Sequence, residues 1–539
     1  MPHSWLSLPA ELRLAILEDL ANDCNENNLK HIQPVCATIC GEWQAFFERE
    51  TFRKVVLHAS CLETFKQLID RRQAFPPIKH IWLRVELGVY NCESCKTRES
   101  SEETEKNNII FTNTIWELLT ILSRVRHFDI RGKEDNNIIF EFSASSPSDG
   151  HHMFKNSYRL HDNYPFSANI DYQAKFLKDK LTKNRTRVND EFHGFKNGRS
   201  LARPRQLNMG WIQQAQRLIQ PLSFDFQDLG LHYQKEAPVH LPRVDFVTAF
   251  VIRRQHHRDI SPATLGQLFE QSFPSLQTIR HERWRLITNN DRKKDDYNYG
   301  MIKGGLACPD NLLCYKLPHN LTRLHIFEDF EPAKNGINVG SRPRYSRIKI
   351  LRSLEPIAAT LEHISVSYLT DAWICFTVKD YTYQPQFPNL KSIALTSQQY
   401  LRRDQSTSKI NILLLKAAII VNKMPKLEIM EIWNTECFFR YDRTSTRETH
   451  RLTYGSTWAE QDIFEVETLQ AWRLVDPSRE LKHNWERLPY GRIPNSPSHG
   501  TIMRHLKLRE MILDPISLLQ VRCEAGDFGK RGAVAYRPK

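Results

Sequence analysis

One pattern constrains this 539-residue chain more than any other. An apolar stretch of helical period is followed by a proline or polar break, then by a short run in which polar and apolar residues alternate. The alternating runs are FPPIKHIWLRVEL (75–87), LSRVRHFDIRG (122–132), LPRVDFVTAFVIRR (241–254) and FPSLQTIRHERWR (273–285). Further on come LPHNLTRLHIFEDF (317–330), LEHISVSYL (361–369), FPNLKSIALTS (387–397) and MPKLEIMEIWN (424–434). Alternation of this kind gives a strand one buried face. Helix-period sequence precedes several runs: CLETFKQLIDRR (61–72), TIWELLTILSRV (114–125), ATLGQLFEQSF (263–273) and NILLLKAAIIVNK (411–423). Taking Val244, Leu276, Leu321, Leu361, Leu390 and Leu427 as equivalent anchors gives a loose period of 29 to 45 residues, within the range of helix-plus-strand repeat units. Each such unit has an apolar face that only its neighbours can cover, so the units stack and their strands form one curved sheet. A closed α/β domain with right-handed crossovers uses the same alternation and is the rival architecture.

The first fifty residues follow a different logic. Ser4 to Asp23 reads SWLSLPAELRLAILEDLAND. Pro9 suits a helix start, where its missing N–H costs nothing, and Glu11 complements the positive dipole end. Leu12, Ile16 and Leu20 recur at i, i+4 and i+8, and Leu14, Leu17 and Ala21 widen the stripe. A second helix is expected from about Pro34 to Arg49, presenting Val35, Ile39, Trp43 and Phe46 or Phe47. Two short helices cannot cover that much apolar surface, so the rest of the chain or a partner must.

The Leu-Pro-x-Glu-Leu start, the Ile-Leu pair that follows it and the later Val-Cys…Trp helix together resemble an F-box. In that family the motif is a small helical module that docks on a Skp-type adapter of a cullin ubiquitin ligase. The matching positions, and the adapter-binding residues that the resemblance implies, are Leu8, Pro9, Leu12, Ile16, Leu17, Val35 and Trp43. The chain departs from the family between the helices: Asn22 to Asn28 is unusually polar, and Ala37 replaces the usual basic residue after the Val-Cys pair. Over its length the chain is also similar to a group of uncharacterised fungal F-box proteins with a leucine-rich-repeat-like C-terminal region. That likeness rests on IKHIWLRVELGVYNCESC and SPSDGHHMFKNSYRLHDNY (Ser146 to Tyr164), in the same order after the F-box. It implies an α/β fold: an F-box at 1–55, an irregular leucine-rich-repeat-like solenoid at 56–525 and a basic tail at 526–539.

Two stretches interrupt the repeat, near 143–210 and 289–314. The first holds a possible hairpin strand, Ile138 to Phe142, at its entrance. Within Lys175 to Arg205, ten Lys/Arg face three Asp/Glu, too polar a composition to offset ordering entropy by burial. The whole chain carries 75 Lys+Arg against 62 Asp+Glu, a net charge of +13. That balance is dispersed, and the basic segment lacks Trp or Tyr to stack bases, which argues against nucleic acid. The longest apolar run, Ile410 to Val421, is about half a membrane span and contains Lys416. The N-terminus shows no secretory pattern, and eleven scattered cysteines fit a reduced protein of the cytoplasm or nucleus.

No phosphate-cradling loop, nucleophile elbow, HExxH or dinucleotide fingerprint occurs, so neither an enzyme nor a cofactor is expected. Cys92 and Cys95 form a CxxC, but a tetrahedral zinc site needs a second pair. Cys308 and Cys314 are widely spaced, and the adjacent His151 and His152 point apart on extended backbone. No metal site is expected. The sequence therefore reads as a non-catalytic substrate receptor of a Skp–cullin–F-box ligase, with an unidentified target protein. The runner-up is a scaffold or nucleic-acid-associated protein whose N-terminal helices only cap the repeats.

Overall fold

The computed structural model describes residues 5–26, 32–71, 77–125, 138–152, 195–196, 199–200, 217, 220–227, 239–256, 258–284, 312–329, 350–376, 385–444, 446–458, 461–489 and 499–524. A 3-10 turn at Trp5–Ser7 leads into helices α1 (Ala10–Glu26), α2 (Ile32–Cys36) and α3 (Gly41–Phe52). The single second helix expected from Pro34 to Arg49 is thus two helices. Cys40 is extended at φ −161°, ψ 171°, and the Thr38 hydroxyl donates to the Val35 carbonyl at 2.8 Å. The apolar spacing continues across a break in the backbone.

The sheet begins at once with β1 (Lys54–His58), α4 (Leu62–Arg71), β2 (His80–Glu86), α5 (Ser101–Ser123) and β3 (Ile138–Ser145). β4 (Phe195–Lys196) and β5 (Arg199–Ser200) pair only with each other. There follow β6 (Val247–Ile252), α6 (Pro262–Gln267), β7 (Thr278–Trp284), α7 (Leu312–Tyr315), β8 (Arg323–Asp329) and α8 (Ile350–Ser353). Next are β9 (His363–Ser367), α9 (Ala372–Phe376), β10 (Ser392–Thr396), α10 (Thr407–Val421) and β11 (Ile429–Trp433). The sheet ends with β12 (Cys437–Asp442), β13 (Thr449–Ser456), α11 (Val466–Val475) and β14 (Glu480–Arg487). All but β4 and β5 form one twelve-stranded sheet in sequence order. Its strands are parallel from β1 to β11; β12 runs antiparallel between β11 and β13, and β14 is parallel to β13.

A repeated turn explains this order. The six anchors are all buried. Leu276, Leu321, Leu390 and Leu427 each donate a backbone N–H to the carbonyl three residues back, of Phe273, Pro318, Phe387 and Met424. The next residue, ahead of its strand, bonds to the equivalent carbonyl one unit earlier: Gln277 to Thr248, Thr322 to Gln277, Glu362 to Thr322, Lys391 to Glu362 and Glu428 to Lys391. A variable interval along the chain becomes a constant step in space. Alternate strand residues then share a face: Ile81, Leu83 and Val85, Ile364 and Val366, Ile393 and Leu395, Met430 and Ile432 all join the core beneath the helices.

Several expectations need correction. Ile138–Phe142 belongs to no hairpin; it is part of β3, held in parallel between β2 and β6. The run 122–132 begins inside the end of α5, and its remainder from residue 126 lies outside the described residues. Most of the 143–210 and 289–314 stretches, and the tail 526–539, also lie outside them. Residues 499–524 add no strand. They form α12 (His499–Met503), α13 (Arg509–Ile512) and α14 (Pro515–Glu524), which cross the helix-free face of the sheet as a strap.

Candidate interaction surface

The N-terminal helices have a small core of their own: Leu17, Ala21, Cys36, Phe46 and Phe47, flanked by Trp5, Leu20, Ile32 and Trp43. Leu17, Ala21 and Cys24 are the buried side of α1, spaced at i, i+4 and i+7. A carboxylate ties the corner together. Glu42 on α3 accepts from Trp5 Nε1 at 2.8 Å and from Arg13 Nε at 2.9 Å, while Arg13 Nη1 donates to the Leu8 carbonyl at 2.8 Å. The Trp5 indole and then the Arg13 guanidinium hold the Glu42 carboxyl below its usual range.

The seven positions matched to the F-box divide into two groups. Leu12 is 53% exposed, Ile16 44% and Val35 63%; Pro9 is exposed and Leu8 half-buried. Leu17, by contrast, is buried, and Trp43 is half-buried, its ring 5.5 Å from Trp5 and 5.7 Å from Phe47. Both are part of the module's interior. Leu6, Leu14 and Ile39 are also exposed. Leu14 and Ile39 were visible as apolar positions on the helical stripe, whereas Leu6 sits in a turn with no period to flag it.

The helix-free face of the sheet is the other extended surface, and the strap closes it. Ile502, Met503, Leu506, Leu508, Ile512, Leu513, Leu518 and Val521 are buried against Phe327, Tyr368, Ala394, Trp433 and Phe438. Ile516 reaches Trp82 at the far side. Tyr368 has a left-handed backbone, φ 62°, which costs a non-glycine residue roughly 1 kcal/mol or more. Its ring is held at 5.2 Å from Trp433, and its hydroxyl pairs with His499 Nδ1 at 3.0 Å. Buried charges bind the strap as well. Glu431 accepts from the backbone N–H groups of Lys507 and Leu508, both at 3.0 Å, and from Arg440 Nε at 2.6 Å. Glu282 accepts from the backbone of Arg254 and Asp514, and Arg253 joins Glu141 (3.3 Å) to Asp514 (3.1 Å).

Trp82, Trp284 and Trp433 lie on strands and Trp373 on α9. Trp433 is fully buried beneath the strap and Trp82 is buried. Trp373 stacks on Tyr400 at 4.2 Å and has Lys416 Nζ 5.1 Å from its ring centroid, and the Trp284 side chain lies outside the described residues. Cys92 is exposed and Cys95 buried. Cys92 Sγ lies 3.8 Å from His152 Nδ1, and Cys95 Sγ donates to the Cys92 carbonyl at 3.1 Å. Cys308 lies outside the described residues, and among those described no group of three His, Cys, Asp or Glu is arranged to hold a metal ion. The SPSD segment has a mechanical role beside this loop. Ser146 Oγ donates to the Gly88 carbonyl, Ser148 Oγ accepts from Tyr90 N, and Asp149 accepts from the Tyr90 hydroxyl.

No helix among the described residues is long and apolar enough to cross a membrane. No curated protein matches the chain. Residues 316–514, under half of the chain, match a Family of unknown function (DUF6546). The match starts just ahead of β8 and ends at Asp514 within the strap, so it spans β8 to β14 together with α12 and α13. Over this stretch the chain is similar to that family, whose description assigns no activity.

Proposed function

We propose that the chain is the substrate-recognition subunit of a Skp–cullin–F-box ubiquitin ligase. Residues 5–52 act as the F-box, and the remainder is an irregular leucine-rich-repeat-like solenoid that holds a target protein. One observation carries the reading. Of the twelve exposed large apolar side chains among the described residues, six (Leu6, Leu12, Leu14, Ile16, Val35 and Ile39) lie within the first 39 positions. A module that already has an interior, yet leaves this much apolar surface in water, is built to be covered. In this reading Leu12, Ile16 and Val35 reach the adapter with Leu8 and Pro9 beside them. Leu17 and Trp43 act from inside, fixing the angle of the helices. The sequential, laterally open order of the strands supports the solenoid, because each unit is covered only by its neighbours. The ligase's other subunits supply the chemistry, and this chain contributes proximity and orientation.

Co-expression with a Skp-type adapter, followed by size-exclusion chromatography, tests this. A stoichiometric complex is expected for the wild type. Leu12→Asp and Ile16→Asp should abolish it while leaving the circular dichroism spectrum unchanged, since truncating a central apolar anchor alone costs ~2–4 kcal/mol of binding. Complexes that survive both substitutions would overturn the assignment.

A further inference from the structure

β14 ends the sheet, and its outer edge is open among the described residues. It is eight residues of regular strand, paired to β13 along its whole length, with Glu480, Lys482, His483, Trp485, Glu486 and Arg487 exposed. Glu480 N donates to the Glu448 carbonyl and Leu488 N to the Ser456 carbonyl. Even-numbered residues therefore bond towards β13, and Leu481, His483, Trp485 and Arg487 turn their N–H and C=O groups outwards. An edge of this length is a template for another strand unless its side chains forbid it.

We propose that β14 is a homodimerisation edge, pairing antiparallel with β14 of a second copy about a two-fold axis at Asn484. A two-fold axis normal to the sheet keeps each face on its own side, so paired residue numbers must sum to an even number. Three central registers satisfy this. Centring on His483 sets Glu480 against Glu486 and Arg479 against Arg487, each a pair of like charges. Centring on Trp485 sets His483 against Arg487 and Asn484 against Glu486, with no ion pair. Centring on Asn484 sets Lys482 against Glu486 twice, His483 against Trp485 twice, and the Arg487 stem against Leu481 twice.

In the Asn484 register the four outward-facing residues of each strand meet their counterparts as hydrogen-bonded pairs, giving about eight backbone bonds across the edge. Opposite charges and ring pairs across strands are the unit of sheet stabilisation. The charges that would normally keep an edge strand solitary are here placed to select one partner, a copy of itself. Apolar surface flanks the edge on the helix side: α11 packs against β14 and leaves Val466 65% and Leu474 72% exposed. This inference does not depend on the adapter reading.

Sedimentation equilibrium of the full chain tests it. The wild type should dimerise reversibly. Lys482→Glu turns both ion pairs into like-charge contacts at a solvent-exposed position, so the dissociation constant should rise on the order of tenfold or more without loss of folding. The double reversal Lys482→Glu with Glu486→Lys recreates both pairs and should restore the wild-type constant. A wild type that stays monomeric at every concentration reached would overturn the proposal. So would a dimer indifferent to Lys482→Glu, or a double reversal no tighter than the single one.

Discussion

Replacing Glu431 with glutamine asks whether the strap is part of the folded sheet or a lid laid upon it. The Glu431 carboxylate is fully buried, and three donors converge on it: Arg440 Nε at 2.6 Å and the N–H groups of Lys507 and Leu508 at 3.0 Å. Glutamine keeps one acceptor oxygen but removes the counter-charge of Arg440, whose side chain is only 11% exposed. Stripping one partner from a buried pair costs roughly 3–5 kcal/mol, because the remaining charge is left uncompensated. A domain of this kind has about 5–15 kcal/mol in total. The eight large apolar strap residues add roughly 1.5–3 kcal/mol each, enough to tie strap and sheet into one cooperative unit. Urea unfolding followed by tryptophan fluorescence, to which the buried Trp433 contributes among the chain's 11 tryptophans, should show a single transition moved to lower denaturant by that amount. A loss below about 1 kcal/mol, or a separate early transition for the strap, would show that strap and sheet are not one cooperative unit.

The two flanks of α1 should respond oppositely to truncation. Leu17→Ala removes a buried side chain and is expected to lower stability by ~2–5 kcal/mol in thermal or chemical unfolding of the module. Ile16→Ala, at an exposed site, should change stability by less than ~0.5 kcal/mol while weakening the adapter complex. Acid should destabilise the sheet early. Burial, with Arg258 nearby, pushes His256 down to about 3, and burial holds His281 and His325 well below the usual value. Their folded pKa values lie under the unfolded one, so the unfolded chain takes protons first: stability is full above about pH 6.5 and falls beneath it, by up to ~1.4 kcal/mol per pH unit for each histidine. Urea midpoints measured from pH 7.5 to 5.5 should drop accordingly, and a flat profile would contradict the neutral buried state. Tyr368→Phe deletes the hydroxyl that meets His499 and should cost about 1 kcal/mol, read from the same unfolding curves.

The alternation of helix and strand was legible because its physics is local. Phe-Pro-Ser-Leu, Phe-Pro-Asn-Leu and Met-Pro-Lys-Leu each spell the same turn, and the alternation after each marks a strand with one face under the helices. What escaped depends on residues far apart in sequence. Nothing in GTIMRHLKLREMILDPISLLQ (500–520) states that it will lie across strands from β11 back to β2; its apolar residues resemble one more helix on the other face. Trp433 sits on the strand face away from the helices, and its burial follows only from the strap. The break at Cys40 was hidden because the apolar spacing is the same on both sides of it. At the N-terminus, helical period located the stripe, but period alone could not say that Leu17 turns inwards and Ile16 outwards. That division came from Phe46 and Phe47 on α3 taking one side of α1.

An N-terminal apolar face that docks an adapter must be shielded from solvent when the adapter is bound. Hydrogen–deuterium exchange of the full chain, with and without a saturating Skp-type adapter, addresses it most directly. Slowed exchange is expected in residues 5–52, strongest around Leu12, Ile16 and Val35, with the strands unchanged. Identical exchange in the two samples, or protection confined to the sheet and strap, would contradict it.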